Sequence, residues 1–160
     1  MAVDMYMRVD GVTGESKDSN HTGWTSIQSY SWGASQPGSM ATGSGGGQGK
    51  VAFSDMSVIA PIDKASAAVL KYCANGKHLP QIEISVCKAG GQQVEYLRIT
   101  LSEVLVTSVQ QDAANSNDSV LVTYTFQAAH VKKQYWEQTD QGSRGSESTV
   151  GWDIKKNQET

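Results

Sequence analysis

Residues 81–111 read QIEISVCKAGGQQVEYLRITLSEVLVTSVQQ, and both halves of this stretch alternate between apolar and polar side chains around Gly90 and Gly91. An alternation with a period of two residues predicts strands that have one buried and one solvated face. The glycine pair predicts the turn, because glycine adopts positive φ angles without a steric penalty. The stretch therefore predicts a long β-hairpin. The buried face of its first strand is expected to carry Ile82, Ile84 and Val86, and the solvated face Glu83, Ser85 and Cys87.

The same alternation recurs along the chain, so the sequence predicts a mainly β protein. Short strands separated by glycine and polar residues are typical of a sandwich or a barrel, and we expect a β-barrel. With 160 residues, the chain is expected to form one domain that spans residues 1–160. The predicted strands are residues 4–9, 24–32, 50–59, 81–88, 93–109, 119–128, 129–135 and 149–154.

One short helix is predicted over residues 63–75. Asp63 is a suitable N-cap, because its carboxylate can accept hydrogen bonds from the free N–H groups of a first helical turn. Asn75 and Gly76 form a suitable C-terminal stop. We expect the helix to cover one end or side of the barrel with an apolar stripe formed by Ala65, Ala68, Val69, Tyr72 and Cys73.

A long loop is predicted over residues 33–49, where seven of 17 residues are glycine. Loops of this length are uncommon in a compact domain, and they are usually functional or disordered. The segment is poor in bulky apolar side chains and cannot pack a core of its own. We expect it to extend and dock on a neighbouring molecule. Shorter hydrophilic loops are predicted at residues 11–23, 110–118 and 139–148.

The charge distribution argues against nucleic acid as a partner. The formal net charge is −3, and the 13 Lys and Arg residues are scattered, whereas duplex binding requires a clustered basic surface. No apolar segment approaches the ~20 residues that span a bilayer, and no secretory leader is recognisable. Cys73 and Cys87 do not suggest a disulfide framework. We therefore expect a chain that is made in a reducing cytoplasm and that, if exported, leaves without a signal peptide.

No catalytic, cofactor-binding or metal-binding set of residues is predicted. Gly49 and Lys50 resemble the end of a Walker A loop. However, Ser44 stands where the first glycine of that motif is required, and Val51 stands where a Ser or Thr is required. The three histidines lack the spacing of metal ligands, and no Gly-x-Ser-x-Gly elbow occurs. We expect the histidines to be solvated or hydrogen-bonded.

The four tryptophans, Trp24, Trp32, Trp136 and Trp152, leave two interpretations open. Aromatic residues are enriched where proteins meet, so anchoring in the core or at an interface is favoured. The alternative is a secreted, non-enzymatic binding module of the lectin class. In that case an exposed Trp24 or Trp136 would form a platform for a sugar.

Taken over its full length, the sequence resembles the haemolysin-coregulated protein family, the tube protein of bacterial type VI secretion systems. Six stretches carry the resemblance, and they follow one another in order along essentially the whole chain. They are MAVDMYMRVDGVTGES (1–16), SYSWGASQPGSM (29–40), GKVAFSDMSV (49–58), DKASAAVLKYCANGKHLPQIEISVCKAGG (63–91), VEYLRITLSEVLVTSV (94–109) and VGWDI (150–154).

The resemblance implies a β-barrel of two antiparallel sheets with one short α-helix and a long extended loop. It also implies a homo-hexameric ring with a central channel, and stacked rings that form a tube. A contracting sheath would drive this tube out of the cell or into a target cell. The implied partners are the sheath proteins, a spike protein at the tube tip and small secreted effectors. No enzymatic activity, cofactor, nucleic acid or membrane association is implied.

Two groups of residues are candidates for contacts in such a tube. Ser31 and Ser29 lie in the stretch that resembles an inner strand, and we expect them to line the channel, with Glu83 and Ser85 as further polar residues of that face. The glycine-rich loop is expected to lie across the next ring. Its candidate contact residues are Ser39, Met40, Gly45, Gly46 and Gly47.

Overall fold

The structure is a computed structural model that describes residues 3–38, 50–89, 93–116 and 119–160. Within those residues the chain forms eleven strands and one helix. In chain order they are β1 (Val3–Val9), β2 (Thr25–Ile27), β3 (Ser29–Ser31), β4 (Ala34–Ser35), β5 (Ala52–Phe53), β6 (Met56–Pro61), α1 (Ala65–Asn75), β7 (Leu79–Lys88), β8 (Val94–Asp112), β9 (Leu121–Gln138), β10 (Arg144–Asp153) and β11 (Gln158–Glu159).

The predicted hairpin is the centre of the fold. Strands β7 and β8 are antiparallel, with Ile84 opposite Ile99 and Ile82 opposite Leu101. Strand β9 continues the antiparallel order on the other side of β8, and β10 follows β9. The hairpin prediction is confirmed, although its glycine pair lies outside the described residues.

The sheet branches at β9, which has two neighbours on one side. Its first part pairs with β6, and its last part pairs with β10. Strand β6 pairs with β3, and only Gln28 separates β3 from β2. Since β2 pairs with β1 and β1 with β7, the strands lead back to the hairpin. The prediction of a mainly β, antiparallel fold is confirmed. In the part of the chain that the structure describes, the strands form one nine-stranded sheet and a two-stranded ribbon of β4 and β5.

Several predicted boundaries are wrong. The predicted strands 119–128 and 129–135 are one strand, β9, whereas residues 24–32 divide at Gln28 into β2 and β3. The predicted loop at 139–148 gives way to β10 at Arg144, because its polar residues still form a ladder with β9. The predicted loop at 33–49 begins with β4, and residues 39–49 lie outside the described part.

The helix begins two residues later than predicted, and its N-cap residue is Lys64 rather than the predicted Asp63. The Asp63 carboxylate still accepts from the helix start, because its Oδ1 atom receives a hydrogen bond from the N–H of Ala65 at 3.0 Å. The preceding N–H, of Lys64, donates to Oε2 of Glu15 at 2.7 Å. Gly76 ends the helix with a φ of 68°, which confirms the predicted stop. The helix packs against β8.

Inward-facing residues of the alternating strands form the core. Burial raises the pKa of the Tyr124 hydroxyl to about 12, because the phenolate would be desolvated there. No helix among the described residues has the length and hydropathy to cross a membrane. The largest fully buried side chains are Tyr124, Phe126, Met7, Met56, Leu79, Ile82, Ile84, Ile99, Leu101, Val58, Val69 and Val104.

Candidate assembly surfaces

Four neighbouring strands, β3, β6, β9 and β8, present a row of small hydroxyl side chains on their outer face. The alternation of each strand places apolar residues such as Val58 and Tyr124 inward and the hydroxyl residues outward. The register aligns these residues across the strands, with Ser31 opposite Ser57, Ser57 opposite Thr125, and Thr125 opposite Ser108. We call this surface the hydroxyl face, and it consists of Ser29, Ser31, Ser57, Thr107, Ser108, Thr123 and Thr125.

Hydrogen bonds organise one end of the hydroxyl face. A β-bulge between Val106 and Ser108 sets two hydroxyl groups of β8 against Thr125. The Oγ1 atom of Thr125 lies 2.7 Å from Oγ1 of Thr107 and 2.6 Å from Oγ of Ser108. Thr107 also donates to the Asp55 carboxylate at 3.0 Å. The hydroxyl face is therefore uncharged and mainly polar, with Asp55 at its border and Ile59 between Ser29 and Thr123.

The structure places the two predicted channel residues on the hydroxyl face. Ser29 and Ser31 are both exposed, while Tyr30 between them turns toward the core. Their hydroxyl neighbours on β6, β9 and β8 were not predicted as site residues. The alternation of Thr123 and Thr125 was visible in the sequence, but the register that aligns them with Ser31 was not.

The outer face of β7 is not solvated, so the prediction for Ser85 and Cys87 is wrong. Ser85 is fully buried and Cys87 is 1% exposed, because the segment of residues 12–24 covers them. Burial also raises the pKa of the Cys87 thiol. Glu83 is bound by Arg8 at 2.9 Å and by Arg98 at 3.0 Å. This part of the sheet therefore does not supply a free polar surface.

His21 holds the covering segment on the sheet. Its Nδ1 atom lies 2.7 Å from Oδ2 of Asp18, and its Nε2 atom lies 3.1 Å from Oγ of Ser85. The expectation of a hydrogen-bonded histidine fits His21. Asp18, His21 and Ser85 thus form a carboxylate–imidazole–hydroxyl chain like that of a catalytic triad. However, Ser85 has no access to solvent and its hydroxyl donates to Glu95, so it is not placed to attack a substrate.

The other two histidines lie apart from His21. His78 is exposed, whereas His130 is partly buried, with Nδ1 3.6 Å from Oδ2 of Asp153. No cluster of three potential metal ligands occurs within residues 3–38, 50–89, 93–116 and 119–160.

The tryptophans do not form an open sugar platform. Trp136 is 9% exposed, and the Arg144 guanidinium lies 3.7 Å from its ring centre. Trp24 packs edge-on against His21. Trp32 stacks on Phe53 and, together with Trp152, lines a groove of about 680 Å³ between the β4–β5 ribbon and β10. That groove is consistent with an anchoring role for Trp32 and Trp152.

Comparisons with known proteins give one consistent result. The family described as "Type VI secretion system effector, Hcp" matches residues 6–135. Protein hcp1 of Pseudomonas aeruginosa is 43% identical over 159 residues, which cover 98% of each chain.

Solved structures agree with these sequence matches. A structure described as a type six secretion system protein superposes with a TM-score of 0.93 at 28% identity, over 99% of this chain and 100% of the other. Hcp1 from Salmonella typhimurium superposes with a TM-score of 0.82 at 30% identity, over the whole of both chains. A type VI secretion system effector from Yersinia pestis gives a TM-score of 0.77 at 27% identity, over 94% of this chain and 100% of the other.

Proposed function

This chain belongs to the Hcp family and is a structural subunit of the type VI secretion tube, and we propose that its hydroxyl face lines the channel of that tube. Six copies would close into a ring through a head-to-tail interface, and the rings would stack. The observation that carries the proposal is the uncharged row of hydroxyl groups that crosses four adjacent strands on an outward face.

Small hydroxyl side chains suit a channel wall for two reasons. They leave the channel wide, and each hydroxyl can both donate and accept a hydrogen bond. A cargo protein with a polar surface could therefore bind without fixed charges on the wall. We infer that the chain acts by assembly and carriage rather than by catalysis. Its partners would be secreted effectors in the channel, a spike protein at the tip and the surrounding sheath.

The route of export follows from the same proposal. The chain would be made in the cytoplasm and carried out as part of the tube, either into the medium or into a target cell. The lectin alternative receives no support from the family match, and Trp136 lies beneath Arg144.

We expect Ser31→Gln to reduce effector retention about tenfold, the equivalent of one lost contact of about 1.4 kcal/mol. The longer side chain at position 31 would hold the cargo surface away from the wall and from the neighbouring Ser57, while the core beneath stays unchanged. Co-purification of effectors with rings from the source bacterium measures the effect. Ser148→Gln is the matched control, because Ser148 is an exposed residue of β10. Equal retention by both variants would remove Ser31 from the channel wall.

We also propose that residues 39–48, which lie outside the described part, contact the next ring. Deletion of these residues should spare the fold, because the segment is poor in bulky apolar side chains. The deletion should leave the ring intact and reduce the length of stacked tubes in negative-stain images. Tubes of normal length would show that Ser39, Met40, Gly45, Gly46 and Gly47 are not the contact between rings.

A further inference from the structure

His21 is 4% exposed and lies between two carboxylates. One is Asp18, which faces Nδ1 directly, and the other is Glu95, which His21 reaches through the Ser85 hydroxyl. The Tyr6 ring stacks on the imidazole with 4.2 Å between the ring centres and 10° between the planes. This site lies on the face of the sheet that residues 12–24 cover.

The hydrogen bonds around Ser85 determine where its single proton lies. Glu95 is held by Arg98 at 2.9 Å and by Arg144 at 2.8 Å, so its carboxylate is ionised and can only accept hydrogen bonds. The Ser85 hydroxyl must therefore be the donor in its hydrogen bond with Glu95. With that proton used, the Ser85 oxygen is left as an acceptor, 3.1 Å from Nε2 of His21 and 3.6 Å from the Cys87 Sγ atom, and a hydrogen on Nε2 satisfies the shorter contact.

The other ring nitrogen of His21 must carry a hydrogen as well. Nδ1 lies 2.7 Å from a carboxylate oxygen of Asp18, and an ionised carboxylate has no hydrogen to donate. An imidazole with hydrogens on both nitrogens is the imidazolium cation. The face of the Tyr6 ring is a favourable neighbour for a cation. The titratable and charged groups around His21 are Asp4 and Tyr6 of β1, Asp18 of the covering segment, Cys87 of β7, Glu95 and Arg98 of β8, and Arg144 of β10.

We propose that His21 is a buried imidazolium that latches residues 12–24 onto β7, and that loss of its proton opens this latch. The imidazolium is the more protonated form, so the latch is complete at low pH and is lost as the pH rises. Burial raises the pKa of both Cys87 and Tyr6, so these neighbours keep their protons while His21 loses its own.

The latch also connects the sheet to the helix. Within the covering segment, Glu15 accepts from the Lys64 N–H, and its own N–H donates to Asp63 at 3.3 Å. Opening of the latch would therefore loosen the start of α1 along with residues 12–24. The consequence is a local, pH-dependent release of one side of the subunit, while the core remains folded.

The protonation of His21 can be measured directly. Full-length protein with ¹⁵N-labelled histidine in a His78→Gln, His130→Gln background contains a single imidazole, and magic-angle-spinning NMR of sedimented protein reports both of its nitrogens. At about pH 6 we expect the two matching shifts of an imidazolium, and at about pH 9 the widely separated shifts of a neutral ring. A neutral ring at about pH 6 would overturn the proposal.

Amide hydrogen exchange tests the latch itself. Between about pH 6 and pH 9, protection of residues 12–24 should fall about tenfold after correction for intrinsic exchange, as for the loss of one hydrogen bond to a charged group. His78→Gln is the matched control and should behave like the unchanged protein, whereas His21→Gln should show low protection at both pH values. Protection that stays constant with pH in the unchanged protein would contradict the proposal, and this result does not depend on whether His21→Gln folds.

Discussion

Replacement of Phe126 by alanine is expected to lower the free energy of unfolding by about 3–5 kcal/mol, the usual cost of deleting a buried aromatic ring. Phe126 is 1% exposed and stacks on Tyr124 with 6.1 Å between the ring centres. Its strand is paired on both sides, with Met56 of β6 and Val106 of β8 directly opposite, so the backbone cannot collapse into the cavity. Urea unfolding at a fixed protomer concentration measures the loss, since assembly itself adds stability.

The neighbouring residue provides the control for that experiment. Gln127 is exposed on the opposite face of β9, and Gln127→Ala should change the free energy of unfolding by about 0.5 kcal/mol or less. A loss below about 1 kcal/mol for Phe126→Ala would mean that the ring is not part of a close-packed core.

The second large effect is expected from Glu95→Ala, which should lower the free energy of unfolding by about 2–3 kcal/mol. Removing one partner of a buried ion pair costs about 3–5 kcal/mol, but Arg98 and Arg144 are 31% and 46% exposed, so water replaces part of the lost interaction. The Ser85 hydroxyl, which is fully buried, would also lose its acceptor.

Two variants show which part of this effect belongs to the charge. Glu95→Gln keeps the shape and an acceptor for Ser85, so its loss should be smaller than that of Glu95→Ala. Glu147→Ala is the control for a surface carboxylate, because Glu147 is exposed and contacts only Gln134 among the hydrogen bonds of the described residues. Equal effects of Glu95→Ala and Glu147→Ala, measured by thermal unfolding, would show that the cluster around Glu95 does not stabilise the fold.

The sequence predicted the fold where alternation and burial agree. Residues 81–111 alternate clearly, and the structure forms most of β7 and β8 from them, with Ile84 opposite Ile99 and Ile82 opposite Leu101. The prediction failed at residues 144–148, because these polar residues are ordered by pairing with β9 rather than by burial. Local composition does not report whether such a segment has a strand beside it.

The errors at the candidate sites have a different cause, which is contact between residues far apart in sequence. Ser85 has the polar character of a solvated strand residue, but His21, 64 residues earlier, covers it. Likewise, no local pattern predicted that Glu15, 49 residues earlier, would accept a hydrogen bond from the Lys64 N–H at the start of the helix. Ser31 was predicted as a channel residue, whereas its alignment with Ser57 and Thr125 depends on strand register, which no short stretch of sequence contains.

The central claim is that this chain closes into rings that stack as a tube, and its most direct test is the solution mass. Light scattering with negative-stain imaging of the same peak should give about 103 kDa, six times 17.2 kDa, and annular particles with an open centre. A mass that stays near 17.2 kDa at every concentration, with no rings in the images, would contradict the claim.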